Sequence, residues 1–165
     1  MRYASIRSMD ISNGEGVGIS LFVQGCHFHC KNCFNKDTWD FNGGKKWTPE
    51  VEDKFIELAS RPYIKRISLL GGEPLADENL DGVLNLVNRF RLLMPEKTIW
   101  LYSGYRFEEL DERRKQIVSL VDVFVDGRYI DLQRNISAKW KGSDNQRVIS
   151  IRDSLQQGKV VLYCE

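Results

Sequence analysis

Three cysteines lie in one short segment of the chain, Cys26, Cys30 and Cys33, with the spacing C-x3-C-x2-C. Thiolates bind soft metals, and three of them in one loop can bind a single site with little ordering of the rest of the chain. An iron–sulfur cubane contains four irons and is usually held by four thiolates. Three cysteines would leave one iron open to a small molecule. The spacing therefore predicts a [4Fe-4S] cluster with these three cysteines as its ligands.

A structural zinc site is the main alternative. Structural zinc takes four closed ligands, most often from two separated cysteine pairs. The sequence has no second pair, so zinc would need His27, His29 or Cys164 to complete its shell. A zinc-stabilised interaction module without catalysis stays open at this point. Polar residues around the cysteines are unlike a core segment, and a chain of 165 residues can bury a core without disulfides.

Composition and charge are those of an ordinary globular protein. Apolar residues make up 42% of the chain and charged residues 28%, and the formal net charge is +1. No apolar run approaches the ~20 residues that span a bilayer, and the near-neutral charge gives no argument for binding nucleic acid or a membrane surface. We expect a single domain over residues 1–165. Clustered thiols and the lack of a recognisable secretory segment favour the cytoplasm.

Apolar runs and turn signals alternate along the chain and predict alternating strands and helices. The predicted strands are 17–23, 65–70, 98–102 and 121–125, followed by late strands at 148–151 and 160–163. The predicted helices run from Thr48 to the Arg61-Pro62 stop, over 77–93, and over 107–120. Such alternation favours a parallel sheet with right-handed crossovers. Since a full eight-fold barrel needs about 250 residues, we expect an α/β fold with a partial, open β/α barrel of about five or six mainly parallel strands.

Small and polar residues follow several predicted strands. The first strand leads into the cysteine segment, and the second into Gly71, Gly72 and Glu73. In α/β sheets ligands gather at the carboxyl ends of strands, so we expect these residues to share one site. Two glycines allow the backbone to approach a ligand without a Cβ in the way, and Glu73 offers an acceptor for an ammonium group. Taken alone, residues 71–74 are also explained by a tight turn between a strand and a helix.

The cysteine motif together with residues 71–74 resembles the radical S-adenosylmethionine (SAM) superfamily. Within it, the chain is most similar to the proteins that activate anaerobic ribonucleoside-triphosphate reductases. The matching motifs are Asp10-Ile11-x-Asn13-Gly14, Leu21-Phe22-Val23-x-Gly25-Cys26, Cys33-Phe34-Asn35-Lys36-x-Thr38-Trp39, Ile99-Trp100, Ser103-Gly104-Tyr105, Val125-Asp126-Gly127 and Gly142-Ser143-x-Asn145-Gln146. They extend to about residue 149, and Cys164 lies beyond them. The resemblance implies a short radical SAM core.

The resemblance also implies a reaction. SAM would chelate the open iron through its amino and carboxylate groups, and one electron from the cluster would cleave a C–S bond, giving methionine and a 5′-deoxyadenosyl radical. That radical would abstract hydrogen from a glycine of the anaerobic ribonucleoside-triphosphate reductase and leave a glycyl radical. The two cofactors perform this chemistry, so no catalytic side chain beyond cluster and SAM is expected.

The implied electron donor is a flavodoxin, and the oligomeric state stays open, with a homodimer among the alternatives. Another radical SAM enzyme also stays open, either a pyruvate formate-lyase activator or a deazapurine synthase. The open side of a short barrel leaves room for a protein loop. We expect the polar segment 140–147 to border the face on which the reductase docks, with Trp140 as an apolar anchor. The alternative is that this segment only closes the end of the barrel.

By position in the family motifs, four residues are implied to hold SAM at the ends of the second and third predicted strands. Gly71, Gly72 and Glu73 are expected to bind its amino group. Ser103 is expected to line the same pocket.

Further cofactor contacts are implied both earlier and later in the sequence. Asp126 and Arg128 lie two residues apart on an extended segment and therefore point to one face. Arg128 is expected to pair with the SAM carboxylate and Asp126 with a ribose hydroxyl, the alternative being a surface ion pair. Many superfamily members carry an aromatic residue before the third cysteine, where this chain has Asn32. We expect Asn32 and Phe34, which flank Cys33, near the adenine, with Phe34 supplying the apolar contact.

Overall fold

A computed structural model describes residues 1–164 of the chain, which form an α/β fold around one sheet of seven strands. The strands are Arg2–Asp10 (β1), Gly18–Val23 (β2), Lys45–Lys46 (β3), Arg66–Gly71 (β4), Thr98–Tyr102 (β5), Val123–Asp126 (β6) and Arg147–Ser150 (β7). The helices are Pro49–Ala59 (α1), Leu80–Leu93 (α2), Glu112–Val118 (α3) and Ile151–Gln157 (α4). The strand order is β3-β1-β2-β4-β5-β6-β7.

The sheet is mixed and open. The four central strands, β2, β4, β5 and β6, run parallel to one another. At the two edges β1, β3 and β7 pair antiparallel with their neighbours. The sheet thus has more strands than the five or six predicted, and the additional ones are antiparallel. β1 was not predicted because its side chains are mostly half-buried or exposed and show no apolar alternation. β3 has only two residues.

The helices pack on one face of the sheet. Alternate strand residues point to opposite faces, and one set packs with buried residues of all four helices in the main core. The start of α1 is confirmed: Thr48 caps it by accepting a 3.2 Å hydrogen bond from the Val51 amide, and Pro49 is its first residue. The opposite face carries Trp100, Val123, Val125 and Val148. Within residues 1–164 no helix has the length and apolarity of a membrane span.

The later elements differ most from expectation. The predicted helix over 107–120 is split into a short 3-10 turn, Phe107–Glu109, and α3, because Leu110 and Asp111 are extended. Residues 151–157 form α4, which was not predicted. The predicted last strand is reduced to one isolated bridge, between Ile149 and Leu162.

Candidate functional site

A cavity of about 430 Å³ opens on the face of the sheet opposite the helices. One wall of the cavity is formed by the residues at the carboxyl ends of β2, β4, β5 and β6. Ligand sites in α/β sheets usually lie at these strand ends. The lining includes all three clustered cysteines and most of the predicted cofactor contacts: Cys26, Cys30, Cys33, Phe34, Gly71, Gly72, Glu73, Ser103 and Arg128. The expectation that several strand ends share one site therefore agrees with the structure.

The cysteine loop, residues 24–41, is closed on itself by backbone hydrogen bonds. The Gly25 amide donates to the Thr38 carbonyl (2.6 Å) and the Cys26 amide to the Trp39 carbonyl (3.1 Å). The side-chain amide of Gln24, which is buried, donates to the carbonyls of Asp37 and Asp40. These bonds fix both ends of the loop, so the three cysteines are presented from a closed frame.

Backbone N–H groups lie beside the cysteine sulfurs of this loop. The Asn35 amide donates to the Cys33 sulfur at 3.4 Å, and the amides of Phe28 and His29 beside Cys26 and of Tyr129 beside Cys30 favour the thiolate form of those two residues. Burial raises the pKa of the Cys26 and Cys30 thiols, and these N–H groups oppose that rise. N–H donors aimed at sulfur stabilise thiolate ligands and tune iron–sulfur clusters.

This donor set fits an iron–sulfur cluster, whose thiolates each bind a different iron. In the part of the chain that the structure describes, no three Cys, His, Asp or Glu side chains are gathered tightly enough to surround one ion. Three sulfurs around a common cavity, each beside a backbone N–H group, provide separate ligand positions.

Phe28 anchors the middle of the cysteine loop, a role that the sequence analysis missed. Its ring lies edge-on to Tyr105, with centroids 5.0 Å apart, and the Arg128 guanidinium stacks over it at 4.4 Å. A Cβ on Gly104 would lie 2.5 Å from the same ring, which explains the glycine in the Ser103-Gly104-Tyr105 motif. Phe28 alone gave no signal in the sequence, because all three of its neighbours come from distant segments.

Glu73 is a buried carboxylate that joins the ends of β4 and β5. Its Oε2 accepts hydrogen bonds from the Leu75 amide (2.8 Å) and the Ser103 hydroxyl (2.7 Å), and its Oε1 accepts from the Gly104 amide (2.6 Å). Burial raises the pKa of Glu73 to about 7, while these hydrogen bonds oppose the rise. A positively charged amino group placed beside it would favour the ionised form.

Gly72 is required by the protein's own backbone. A Cβ there would lie 2.4 Å from the carbonyl oxygen of Gly25 and 2.8 Å from that of Thr38. The adjacent Glu73 amide donates to the Gly25 carbonyl at 2.7 Å. We predicted that the glycine pair makes room for a ligand. The structure adds a second reason, which is that the strand end packs directly against the start of the cysteine loop.

Asp126 and Arg128 are separated by the structure. Arg128 lines the cavity, but Asp126 is buried and accepts hydrogen bonds from the Phe107 amide (2.8 Å) and from Arg147 (3.1 Å). The expected contact of Asp126 with a ribose hydroxyl does not fit this placement, nor does the alternative of an ion pair with Arg128. Asp126 instead stabilises the turn that follows β5.

Of the two residues that flank Cys33, only one lines the cavity. Phe34 lines the cavity and packs against Tyr129, with ring centroids 4.9 Å apart, as expected for an apolar contact. Asn32 has a positive φ of 56° and donates a 2.8 Å hydrogen bond to Asp131. Asn32 is not among the cavity-lining residues of the described chain, so its expected place near the adenine does not fit.

Trp140 is an inner wall of the cavity rather than an exposed anchor. Its half-buried ring lies edge-on to Trp100 at 4.9 Å and to Tyr163 at 6.0 Å. Segment 140–147 thus contributes to the cavity wall, and its place beside the docking face of the reductase stays a prediction.

The turn after β1 forms the cavity floor. Ser12 and Asn13 line the cavity, and both donate to the buried carboxylate of Asp10, at 2.7 and 2.6 Å. Arg66 is fully buried and donates to the Asp10 carbonyl (2.7 Å) and to Ser68 (2.6 Å). Sequence reasoning missed Arg66, because a charged residue at the start of an apolar strand normally points to solvent.

Comparisons with known proteins agree with this site. A family model described as a 4Fe-4S single cluster domain matches residues 12–149. A protein of Vibrio cholerae is 41% identical over 148 residues, 88% of this chain and 96% of the relative. A protein of Escherichia coli K12 is 41% identical over 154 residues, 92% and 100%. One of Enterobacteria phage T4 is 37% identical over 157 residues, 94% and 97%. All three relatives are named anaerobic ribonucleoside-triphosphate reductase-activating protein.

Proposed function

Because this chain belongs to the family of anaerobic ribonucleoside-triphosphate reductase-activating proteins, we propose that it is a radical SAM enzyme that generates a glycyl radical in such a reductase. Together, a [4Fe-4S] cluster and SAM would supply a 5′-deoxyadenosyl radical that takes a hydrogen atom from a glycine of the reductase, with the electron coming from a donor such as flavodoxin. The observation that carries the proposal is the shared cavity of three cysteines and four strand ends.

Cys26, Cys30 and Cys33 would hold the cluster. The closed loop frame fixes their backbone, and backbone N–H groups beside Cys26 and Cys30 oppose the burial that raises the pKa of these two thiols. Three protein ligands leave one iron for SAM. Phe28 would keep the loop in place through its packing on Tyr105 and Arg128.

Glu73 would accept the amino group of SAM. Its carboxylate is held in one orientation by Ser103 and the Gly104 amide at the cavity wall. A buried acceptor already fixed by neutral donors loses little entropy when it binds an ammonium group. Arg128 follows the end of β6 and also lines the cavity. Its positively charged guanidinium would pair with the SAM carboxylate.

The rest of the wall would shield the reacting groups from water. Phe22, Leu70 and Val125 line the cavity below the strand ends, and Phe34 and Trp140 flank it. An apolar wall lowers the number of water molecules and polar groups that could react with a short-lived radical.

The test is anaerobic reconstitution with iron and sulfide, followed by reduction in the presence of SAM. We expect about one cluster per chain, release of methionine and 5′-deoxyadenosine, and a glycyl-radical EPR signal on the anaerobic reductase of the same organism. Cys30→Ser should lose cluster, cleavage and EPR signal together. A wild-type protein that holds zinc instead of iron, or that holds a full cluster and cleaves no SAM, would contradict the proposal.

A further inference from the structure

Several large apolar side chains are exposed on segments of the chain that also line the cavity. Among residues 1–164, twelve such side chains are exposed. Half of them lie on segments that also line the cavity: Met9, Ile11, Phe34, Ile130, Leu132 and Ile136. Leu132 is 98% exposed and Ile136 83%. A group of exposed apolar side chains beside a cavity is a candidate site for the binding of another molecule.

Leu132 and Ile136 belong to an ordered arm, residues 128–146. The arm folds back on itself through a bridge between Arg134 and Ser143. A hydrogen bond of 2.8 Å from the Asp144 amide to the Gln133 carbonyl closes it further. The arm also contributes Trp140 and Gly142 to the cavity wall. One arm therefore presents polar and aromatic groups to the cavity and three aliphatic side chains to solvent, of which Leu132 and Ile136 are the most exposed.

The arm is tied to the cysteine loop. Asn32 donates to Asp131, which also accepts from the Tyr129 hydroxyl at 2.9 Å. The Tyr129 ring packs on Phe34, next to the third cysteine. A molecule bound at Leu132 would thus lie one residue from a group that contacts the cluster-binding loop.

The charge of the arm indicates what kind of partner would bind. Apart from Arg128, which lines the cavity, the arm carries three cationic side chains and two acidic ones, a net charge of +1. Exposed aliphatic groups in positively charged surroundings suit a protein surface that is apolar and acidic. They do not suit a small polar ligand, because such a ligand would make no favourable contact with exposed leucine and isoleucine side chains.

We propose that Leu132 and Ile136 form the docking surface for the reductase, next to its glycine-bearing loop. This inference rests on the proposed function, because only a protein substrate must place its own surface against the cavity rim. A glycine on a folded loop reaches the cavity only when the flanking surface covers that rim, and the contact would bury both side chains. Burial of one such side chain changes Kd by roughly ten- to hundredfold.

The test is the double variant Leu132→Ser, Ile136→Ser in the reconstituted holoenzyme. We expect a Kd for the reductase at least tenfold higher than in the wild type. The glycyl-radical yield should be low at limiting reductase and recover at high concentration, so KM rises while kcat changes little. Iron content, Tm and SAM cleavage with dithionite should stay at wild-type levels, because both side chains are exposed.

Leu92→Ser is the matched control. Leu92 is 83% exposed, as Ile136 is, but lies near the end of α2 on the helix-covered side of the sheet. It should leave reductase affinity, radical yield and SAM cleavage unchanged. An effect of Leu92→Ser equal to that of the double variant would show a general loss of solubility and overturn the docking assignment.

Other results would also overturn it. A double variant that binds the reductase as the wild type does would exclude the surface. A change in sedimentation with unchanged reductase affinity would assign it to contacts between copies of this chain, and slower reduction by flavodoxin alone would assign it to the electron donor. If the proposed function itself is wrong, the wild-type protein will cleave no SAM. That result differs from every result that would overturn only the docking surface.

Discussion

The hydroxyl of Ser103 donates a 2.7 Å hydrogen bond to the carboxylate of Glu73, and both residues are buried. The bond joins the ends of β4 and β5 at the cavity wall. It gives the carboxylate one fixed orientation, with Oε1 toward the Gly104 amide and Oε2 toward Ser103 and Leu75. The proposed binding of the SAM amino group depends on this orientation.

Ser103→Ala should lower the free energy of unfolding by about 1 kcal/mol, because Glu73 loses one buried donor. It should also weaken SAM binding several-fold, since the carboxylate is then less well oriented. Equilibrium binding of SAM to the reconstituted protein and thermal unfolding test the two effects separately. Ser119→Ala is the control, because the Ser119 hydroxyl is exposed and bonds only the Gln116 carbonyl. Unchanged SAM affinity in Ser103→Ala would reduce Ser103 to a structural role.

Gly72→Ala should lower cluster content as well as SAM binding. The new Cβ would meet the Gly25 and Thr38 carbonyl oxygens, and both belong to the backbone of the cysteine loop. Since backbone atoms cannot rotate away as a side chain can, the loop must shift. Iron and sulfide per chain after anaerobic reconstitution measure this. A variant with full iron content but weak SAM binding would show that only the ligand approaches Gly72 closely.

The central strands, and the meeting of the cysteine segment with their ends, were predictable because their signals are local. β2, β4 and β5 are short apolar runs, and each leads directly into residues of the cavity wall. The edge strands β1 and β3 were not predictable, since β1 shows no apolar alternation and β3 is only two residues long. Side-chain partners were the least predictable feature. Asp126 turned out to pair with Arg147, twenty-one residues away, and nothing near either residue indicates that pairing.

Asp10→Asn should change the acid stability of the fold. Burial raises the pKa of Asp10, but hydrogen bonds from Ser20, Asn13 and the Ser12 amide and the charge of Arg66 outweigh it, so the pKa is lowered. A carboxylate with a lowered folded-state pKa stabilises the fold above its unfolded value of about 3.9, and this stabilisation is lost as pH falls through the folded-state value.

We therefore expect Asp10→Asn to be less stable than the wild type by about 2 kcal/mol at pH 7. The difference should shrink between about pH 5 and pH 2, because the wild type loses the contribution of its ionised carboxylate there. Tm measured across this range tests the prediction. Two parallel curves would mean that ionised Asp10 adds nothing to stability.

Cys164→Ser should leave iron content and SAM cleavage unchanged. Cys164 is half-buried after the bridge at Leu162 and does not line the cavity formed by the described residues. Iron analysis and 5′-deoxyadenosine yield, measured beside Cys26→Ser, test this prediction. Loss of the cluster in Cys164→Ser would mean that a fourth thiolate completes the site and that no iron is open to SAM.

The most direct test of the proposed function follows one hydrogen atom. The reductase is prepared with glycine deuterated at Cα, mixed with the reconstituted protein, SAM and a reductant, and the 5′-deoxyadenosine is analysed by mass spectrometry. We expect one deuterium in 5′-deoxyadenosine, in an amount that matches the glycyl radical measured by EPR. A glycyl radical accompanied only by unlabelled 5′-deoxyadenosine, or cleavage of SAM with no glycyl radical, would contradict it.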